Sequence, residues 1–294
     1  MDAQGATCPV CGGPATLYCS KPRDGRNWAI YRCGGKARPD GPCGHGFVHP
    51  RPTLDEVVAA NASETAASAL QPPTPPQALQ LRDVAEVVRA VRQVAGEPLS
   101  GRMLDVGAGD GAYAAGLSTL GLRPHLIDLD PRVQDAAARI PGATAARETF
   151  EGLSDVGPYR LVLMSHVLEH ALDPLDWLSR AARLLVPASE ADPGGLLVVL
   201  LPNFGGLYRL LGARDPYLIP PVHVNYFTAA SLRRSFQLAG LSPVRIDTDT
   251  HIPFSGGLKR RVAACAVRLV GPLVRNTTRG IILRGFARPA RRPL

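Results

Sequence analysis

Short apolar runs alternate with amphipathic segments from residue 102 onward, and this alternation constrains the fold more than any other feature. Several of the runs are almost purely aliphatic, which is typical of strands buried on both faces of a sheet. Strands that alternate with helices form parallel sheets with helices on both faces, so the sequence predicts an α/β, doubly wound, mostly parallel sheet. The predicted strands are 103–107, 124–128, 143–146, 159–165, 195–202, 243–248 and 280–286.

The chain divides by composition into three parts. Residues 1–52 are rich in Cys, Gly and Pro and lack periodic apolar residues, as expected of a small module held together by a metal. Residues 53–98 contain two helical stretches separated by the Pro-rich stretch Pro72–Pro76, and they are predicted to form a helical linker. The main domain is predicted to be 99–294, with a helical cap insertion at about 249–279.

Composition and hydropathy indicate a globular protein with no transmembrane helix. Hydrophobic residues make up 45% of the 294 residues, which is enough for a sizeable core. The longest aliphatic run, Leu196–Leu201, is far too short to span a bilayer, and the N-terminus has no basic stretch followed by an apolar run. We therefore expect a cytoplasmic protein, in which six cysteines indicate metal or thiol chemistry rather than disulfides.

The stretch Leu104–Gly111 (LDVGAGDG) is the most informative motif for function. It follows a predicted strand and opens a predicted helix, a place where glycines let the backbone turn tightly and approach a ligand. Asp128 ends the next predicted strand, 17 residues after Gly111, where a carboxylate can accept hydrogen bonds from both hydroxyls of a ribose. The sequence therefore predicts a nucleoside-type cofactor at the carboxyl ends of the strands.

The charges around this loop distinguish between two such cofactors. The spacing Gly107-x-Gly109-x-x-Ala112 also fits the relaxed dinucleotide fingerprint, which is the alternative. A pyrophosphate prefers bare amides at a helix N-terminus, whereas Asp105 and Asp110 flank this loop and would repel it. The same carboxylates favour a ligand that carries an ammonium and a sulfonium group, which is S-adenosylmethionine (SAM).

Four segments together resemble the class I SAM-dependent methyltransferases: DVGAGDG, LIDLDP (126–131), YRLVLMSHVLEHALDP (159–174) and PPVHVNYFTAASLRRSFQLAGL (220–241). The last two are similar to segments of the subgroup that includes ubiquinone-biosynthesis-type and many natural-product methyltransferases. The resemblance covers residues from about 100 to 248. It implies a seven-stranded Rossmann-like sheet whose last strand is antiparallel.

The resemblance also implies a SAM site. In it, Asp105 lines the methionine end with the loop glycines, Asp128 holds the ribose and Leu129 flanks the adenine. Phe150 is a second candidate at the adenine, and His166 lies near the sulfonium. The implied SAM-binding residues are Asp105, Gly107, Ala108, Gly109, Asp128, Leu129, Phe150, Ser165 and His166.

Three histidines are predicted on loops at the same face of the sheet, and they are the candidate catalytic residues: His166, His170 and His223. Methyl transfer from a sulfonium is an in-line displacement, and a general base helps when the nucleophile is a hydroxyl or a protonated amine. His223 is favoured, because the loop PPVHVNYF leads from the fifth predicted strand to a helix and faces the cofactor. A purely structural role is the alternative for each histidine, and Glu169 either pairs with one of them or is a solvated charge.

The N-terminal cysteines predict a structural zinc site. Cys8-x2-Cys11-Gly-Gly places two thiolates on a tight turn, and Cys33 and Cys43 complete a set of four. The pattern resembles the zinc ribbon that precedes many of these methyltransferase domains, with extra residues inserted between Cys33 and Cys43. Four protein ligands leave no open coordination position, so the zinc would be structural. The alternatives are His45 in place of Cys43, or free buried thiols; Cys19 is left over, and Cys265 is predicted to be a core residue.

The acceptor of the methyl group is open between two classes. A small molecule is predicted first: a sugar, a lipid-linked intermediate or a secondary metabolite. The alternative is an RNA methyltransferase that binds RNA through the zinc ribbon and the basic tail, and a non-catalytic SAM-binding or zinc-ribbon interaction protein is a third reading.

From residue 250 onward the chain has ten Lys and Arg and no Asp or Glu, which accounts for the net charge of +8. The amphipathic segment 256–275 is predicted to be a cap helix, with contact to a membrane surface or RNA as the alternatives.

Overall fold

The computed structural model describes residues 5–34, 42–69, 78–96, 99–249 and 278–290. In this part of the chain, no helix combines the length and the hydrophobicity needed to cross a bilayer. The expected cap insertion lies outside the described residues except at its two ends, and Cys265 lies outside them as well. The cap and its basic helix therefore stay predictions.

The described residues form twelve strands and six α-helices. The strands are β1 (Ala6–Thr7), β2 (Pro14–Arg23), β3 (Arg26–Cys33), β4 (Gly46–Val48), β5 (Gly101–Val106), β6 (Leu122–Ile127), β7 (Thr144–Ala146), β8 (Leu161–Ser165), β9 (Leu196–Pro202), β10 (Asn225–Tyr226), β11 (Leu241–Asp249) and β12 (Ile282–Pro289). The helices are α1 (Leu54–Ala69), α2 (Ala78–Ala95), α3 (Ala112–Ser118), α4 (Val133–Ala138), α5 (Pro174–Leu184) and α6 (Ala229–Leu238). Two 3-10 helices cover Leu168–His170 and Leu207–Arg214.

A seven-stranded sheet forms the centre of the main domain, in the order β11-β12-β9-β8-β5-β6-β7. The strands from β9 to β7 pair in parallel. β12 runs antiparallel to both of its neighbours, β9 and β11. The predicted mostly parallel Rossmann-like sheet with an antiparallel last strand is therefore confirmed.

Helices cover both faces of this sheet, which explains the continuous aliphatic runs. Every residue of β9 is buried, as are the first four residues of β8. Alternate side chains of a strand point to opposite faces, so each strand contributes to two cores. One core packs strand residues such as Leu104 and Val162 against α5 and α6, and the other packs Met103 and Leu161 against α2, α3 and α4.

Helix α2 belongs to the second core. Val84, Val87 and Val91 on one face of the helix are buried, whereas Leu81 near its start is 58% exposed. The helix approaches α3 closely, because a Cβ on Gly116 would lie only 2.3 Å from Cγ1 of Val84. The second half of the predicted linker therefore packs against the sheet, and the exact domain boundaries stay predictions.

The N-terminal cysteine module (residues 5–52) is a small antiparallel sheet that the main domain completes. Its strand order is β1-β2-β3-β4-β10, and β10 comes from the loop between β9 and α6. Apolar side chains of the two parts share one cluster, in which Trp28, Ile30 and Val48 pack with Phe204 and Tyr226. The module and the main domain are therefore joined both by strand pairing and by a shared core.

Candidate active site and cysteine centre

The glycine-rich loop between β5 and α3 passes close to the end of β8. Gly107 and Gly109 have positive φ angles of 66° and 53°, which glycine adopts without strain. A Cβ on Gly107 would lie 2.3 Å from Cγ1 of Val167, so a larger residue would push the loop away from β8. The amides of Gly107 and Ala108 donate to the carbonyl oxygen of Ile127 at 2.8 and 3.2 Å. The loop is thereby fixed between the ends of β6 and β8.

Carboxylates surround this loop, as the sequence indicates. Asp105 at the end of β5 is buried, and its Oδ2 has no hydrogen-bond partner among the described residues. Asp128 accepts hydrogen bonds from the amides of Gly109 and Asp130, both at 2.9 Å. Burial raises the pKa of Asp105 to about 8, and the charges of Asp128 and Asp110 add to this effect. A bound cation would relieve the electrostatic penalty, so the loop suits a positively charged ligand.

Three further residues of the predicted SAM site have different surroundings. Leu129, just after β6, is 49% exposed. Phe150 is buried, with its ring centroid 5.2 Å from that of Trp177. Ser165 ends β8 and opposes the effect of burial, which raises the pKa of Tyr113 to about 12. The contacts of these residues with a cofactor stay predictions.

The segment after β8 and the loop before β10 bring the three predicted catalytic histidines around one carboxylate. Glu169 is buried, and its Oε1 lies 3.5 Å from Nδ1 of His166 and 4.0 Å from Nε2 of His223. The rings of His170 and His223 meet edge to face, with centroids 5.0 Å apart. One side-chain atom each of Glu169, His170 and His223, of the kind that can bind a metal, lies within 4.8 Å of the other two. We call His166, Glu169, His170 and His223 the histidine–glutamate cluster.

His166 and His223 differ in exposure and in hydrogen bonding. The side chain of His166 is 43% exposed, and its φ of 56° is a left-handed conformation that residues other than glycine rarely adopt. The side chain of His223 is only 9% exposed. Its Nδ1–H donates to the carbonyl oxygen of Tyr217 at 2.8 Å, so Nε2 is the nitrogen that faces Glu169. His166 is therefore the more accessible of the two rings.

The surroundings of the cluster shift the pKa values of Glu169 and His223 and so determine their charges at neutral pH. Burial alone would raise the pKa of Glu169, but the neighbouring rings of His166, His170 and His223 lower it to about 2. Neither carboxylate oxygen of Glu169 has a hydrogen-bond partner among the described residues. Burial lowers the pKa of His223 to about 4, although the charge of Glu169 opposes this. At neutral pH, Glu169 is ionised and His223 is neutral.

Two residues that the sequence analysis did not single out connect the loops of this cluster. Arg51 of the cysteine module donates hydrogen bonds to the carbonyl oxygens of Val224 (2.8 Å) and Leu172 (3.0 Å) and to Oδ1 of Asn225 (2.8 Å). The side chain of Asn225 donates in turn to the carbonyl oxygen of Ala171 at 2.6 Å. The contacts of Arg51 join residues separated by 121 to 174 positions, so no local pattern could have revealed them.

The four cysteines of the predicted zinc site converge in the cysteine module. Their Sγ atoms all lie within 4.8 Å of one another. The Sγ–Sγ distances are 3.4 Å for Cys11–Cys43, 3.5 Å for Cys11–Cys33 and 3.7 Å for Cys8–Cys43. Tetrahedral zinc with Zn–S bonds of about 2.3 Å separates its sulphurs by roughly 3.8 Å. The residues present therefore fit a zinc ion.

Backbone hydrogen bonds close the turn that carries Cys8. The amide of Gly12 donates to the carbonyl oxygen of Cys8, and the amide of Cys8 donates to that of Gly13, both at 2.9 Å. A hydrogen bond from Cys43 lowers the pKa of Cys8 to about 6, with burial opposing. The amides of Val10 and Cys11 also help to lower the pKa of the Cys8 thiol. His45 and Cys19 are not among the converging atoms, and the ring of His45 lies edge-on to Phe227 with centroids 4.7 Å apart. The geometry favours Cys43 over His45 as the fourth ligand.

The family of the chain follows from comparison with known proteins. A family model described as a methyltransferase domain matches residues 80–246, which is more than half of the chain. The chain belongs to this methyltransferase family. The match begins in α2 and ends in β11, so it contains the glycine loop and the histidine–glutamate cluster, whereas the cysteine centre lies outside it.

One curated relative matches a shorter stretch. A ubiquinone biosynthesis O-methyltransferase of Caulobacter sp. (strain K31) is 32% identical over 112 residues, which are 35% of this chain and 41% of that protein. The chain therefore spans less than half of the length of that relative. The similarity supports a methyltransferase domain and leaves the acceptor open.

Solved methyltransferases share the fold at low identity. A 1,6-didemethyltoxoflavin-N1-methyltransferase of Burkholderia thailandensis, bound to 1,6-didemethyltoxoflavin and S-adenosylhomocysteine, is 17% identical with a TM-score of 0.54, over 92% of this chain and 99% of that one. The N-methyltransferase NodS of Bradyrhizobium japonicum WM9, bound to S-adenosylhomocysteine, is 14% identical with a TM-score of 0.53, over 78% of this chain and 98% of that one. The predicted methyltransferase enzyme with a Rossmann-like fold is confirmed.

Proposed function

We propose that the protein transfers a methyl group from SAM to an oxygen or nitrogen of a small-molecule acceptor. The observation that carries this proposal is the juxtaposition of two sites: a carboxylate-flanked glycine loop that suits a cationic nucleoside, and the histidine–glutamate cluster beside it. Val167 joins them, because it packs on Gly107 and stands between His166 and Glu169 in the chain. The donor and a proton acceptor would therefore meet at one edge of the sheet.

SAM would bind along the ends of β5 and β6. The unpaired Oδ2 of Asp105 suits the ammonium group of the methionine end, and Asp128 suits the ribose hydroxyls. SAM, when bound, would supply an electrophilic methyl group on its sulfonium; an aligned nucleophile would bond to that carbon while S-adenosylhomocysteine leaves as the thioether. The glycine loop leaves room for the cofactor at Gly109, where a Cβ would meet no atom of the described residues within 4 Å.

The residue best placed to take a proton from the acceptor is His166. Its Nδ1 faces the ionised Glu169 at 3.5 Å, which favours the tautomer with the proton on Nδ1 and leaves Nε2 free as a base. Glu169 would then stabilise the imidazolium that forms, as an acidic partner does for a catalytic histidine. His223, favoured from sequence, is buried with Nδ1–H tied to Tyr217, so we propose that it and His170 form the wall behind Glu169.

A small molecule is the proposed acceptor class. The Burkholderia protein is described as a 1,6-didemethyltoxoflavin-N1-methyltransferase bound to 1,6-didemethyltoxoflavin, and the Caulobacter relative as a ubiquinone biosynthesis O-methyltransferase. Neither description, nor that of NodS, mentions RNA. The zinc ion is proposed as structural, because four thiolates would fill its coordination.

The test is methyl transfer from tritiated SAM into a fractionated lysate. We expect label in the small-molecule fraction with the wild-type protein. His166→Gln should reduce the rate by roughly 100-fold or more, because general-base catalysis contributes about that much. His125→Gln is the matched control, since His125 bonds to Thr144 on β7 and does not contact the cluster. Label in RNA, or full activity of His166→Gln, would contradict the proposal.

A further inference from the structure

Arg51 reaches from the cysteine module into the main domain. It follows β4 by three positions, and its guanidinium group donates to two carbonyl oxygens and one amide oxygen of the main domain. Arginine presents five donors in a rigid planar fork, so one side chain can hold several acceptors in fixed geometry. The three acceptors lie on the two loops that carry the histidine–glutamate cluster.

The two loops depend on a few hydrogen bonds for their relative position. The amide of Val224 donates to the carbonyl oxygen of Glu169 at 2.9 Å. The side chain of Asn225 donates to the carbonyl oxygen of Ala171 at 2.6 Å. Arg51 adds a third connection, because it binds Leu172 on one loop and Val224 and Asn225 on the other. The distance from Glu169 to His223 is set by these contacts.

The cysteine module holds the same loop through its backbone. The carbonyl oxygen of Val224 accepts from the amide of Val48 (3.1 Å) as well as from Arg51. Asn225 pairs with Phe47 in the β4–β10 ladder. Both groups that donate to the carbonyl oxygen of Val224 therefore belong to the module, and Val224 directly follows His223 in the chain.

We propose that Arg51 is a positioning residue for the active site, through which the cysteine module fixes the loops of Glu169 and His223 relative to one another. This inference rests on the proposed function in one respect only, namely that the histidine–glutamate cluster takes part in catalysis. Removing Arg51 leaves the acceptor atoms on Leu172, Val224 and Asn225 without their charged donor, so the two loops separate more readily.

The test compares Arg51→Met and Arg51→Lys with the wild-type protein. Arg51→Met keeps the aliphatic stem and removes every donor, whereas Arg51→Lys keeps the charge. By NMR hydrogen exchange, we expect the Val224 amide to exchange about ten-fold faster or more in Arg51→Met, with partial recovery in Arg51→Lys. The affinity for S-adenosylhomocysteine, measured by calorimetry, should change by no more than about two-fold, because Arg51 does not contact the glycine loop.

Activity gives a second readout. With tritiated SAM and a lysate fraction that accepts label, Arg51→Met should lower kcat about ten-fold or more while KM for SAM stays constant. Arg26→Met is the matched control, because Arg26 lies in the same module, and its partners, Glu56 and the ring of Trp28, lie outside the two loops. This control should match the wild type in both readouts.

Two outcomes overturn the inference: wild-type exchange at Val224 in Arg51→Met, or an equal effect of Arg26→Met. Should Arg51→Met not fold, Asn225→Ala takes its place, because it removes one acceptor of Arg51 and leaves the arginine present. Wild-type exchange at Val224 in that variant also overturns the inference. The exchange measurement needs no acceptor, so it decides the inference even where His166→Gln proves fully active and the proposed base fails.

Discussion

A single buried carboxyl group, Asp105, carries much of the selectivity proposed for the cofactor site. Its pKa is raised from 3.8 to about 8, chiefly by burial. The folded protein therefore holds a proton that the unfolded chain releases, so the contribution of Asp105 to the free energy of unfolding falls as pH rises between these two values. A bound ammonium group would reverse this, because an opposite charge favours the ionised carboxylate.

We expect SAM binding at pH 7 to release about one proton, because free Asp105 is mostly protonated there and the ligand ionises it. SAM affinity should accordingly rise as pH rises from about 6 to 8. Calorimetry in two buffers of different ionisation enthalpy gives the proton count. Asp105→Asn should bind more weakly and release no proton. Asp135→Asn, which removes an exposed carboxylate on α4 and keeps Asp105 and its charged neighbours, is the control. An unchanged proton release in Asp105→Asn would contradict this account.

Strand pairing, rather than sequence spacing, assembles the cysteine centre. Cys33 ends β3 and Cys43 precedes β4, and the two strands pair in antiparallel register from Arg32–Gly46 outward. The amide of Cys33 also donates to the carbonyl oxygen of His45 at 2.8 Å. The residues inserted between the two cysteines therefore do not separate their sulphurs.

We expect the purified protein to contain one zinc ion per chain, as measured by atomic emission. Cys11→Ser and Cys33→Ser should lose most of it, because each removes one of four thiolate ligands. Cys19→Ser is the matched control, since Cys19 is half-buried on β2 and does not join the converging sulphurs. Equal zinc in Cys11→Ser and Cys19→Ser would contradict the assignment.

At the scale of the whole molecule, the cysteine module covers an apolar surface of the main domain. Phe204, Leu218 and Tyr226 are buried, and their cluster includes Trp28 and Ile30 of the module. Gly46 permits the close contact, because a Cβ there would lie 2.8 Å from the ring of Phe204. The main domain alone would therefore expose several large side chains.

Deletion of residues 1–52 should lower the melting temperature by about 5 °C or more and increase binding of a hydrophobic dye. Each large apolar side chain exposed costs about 1.5–3 kcal/mol, and 1 kcal/mol corresponds to about 2–4 °C in a domain of this size. Thermal denaturation with dye fluorescence measures both effects. A chain that lacks only residues 1–4 serves as the control. An unchanged melting temperature after the larger deletion would show that the shared core does not stabilise the main domain.

Local sequence patterns were enough to predict the sheet and the glycine loop. The aliphatic runs at 159–165 and 195–202 became β8 and β9, because strands covered on both faces need apolar residues throughout. Threonine is a common N-cap residue, and Thr228 caps α6 in a capping box with Ser231. Such features depend on neighbours within a few residues, which a sequence displays directly.

The ranking of the histidines and the role of the module needed the tertiary structure. Sequence alone determined an α/β sheet, a carboxylate-flanked glycine loop and a set of cysteines, because periodicity and spacing encode them, and four motifs carried the resemblance to methyltransferases. Only the folded chain decided that His166 is accessible while His223 is buried, and that Arg51 ties both loops to the cysteine module. Burial and long-range hydrogen bonds depend on which distant segments meet, and no local pattern specifies that.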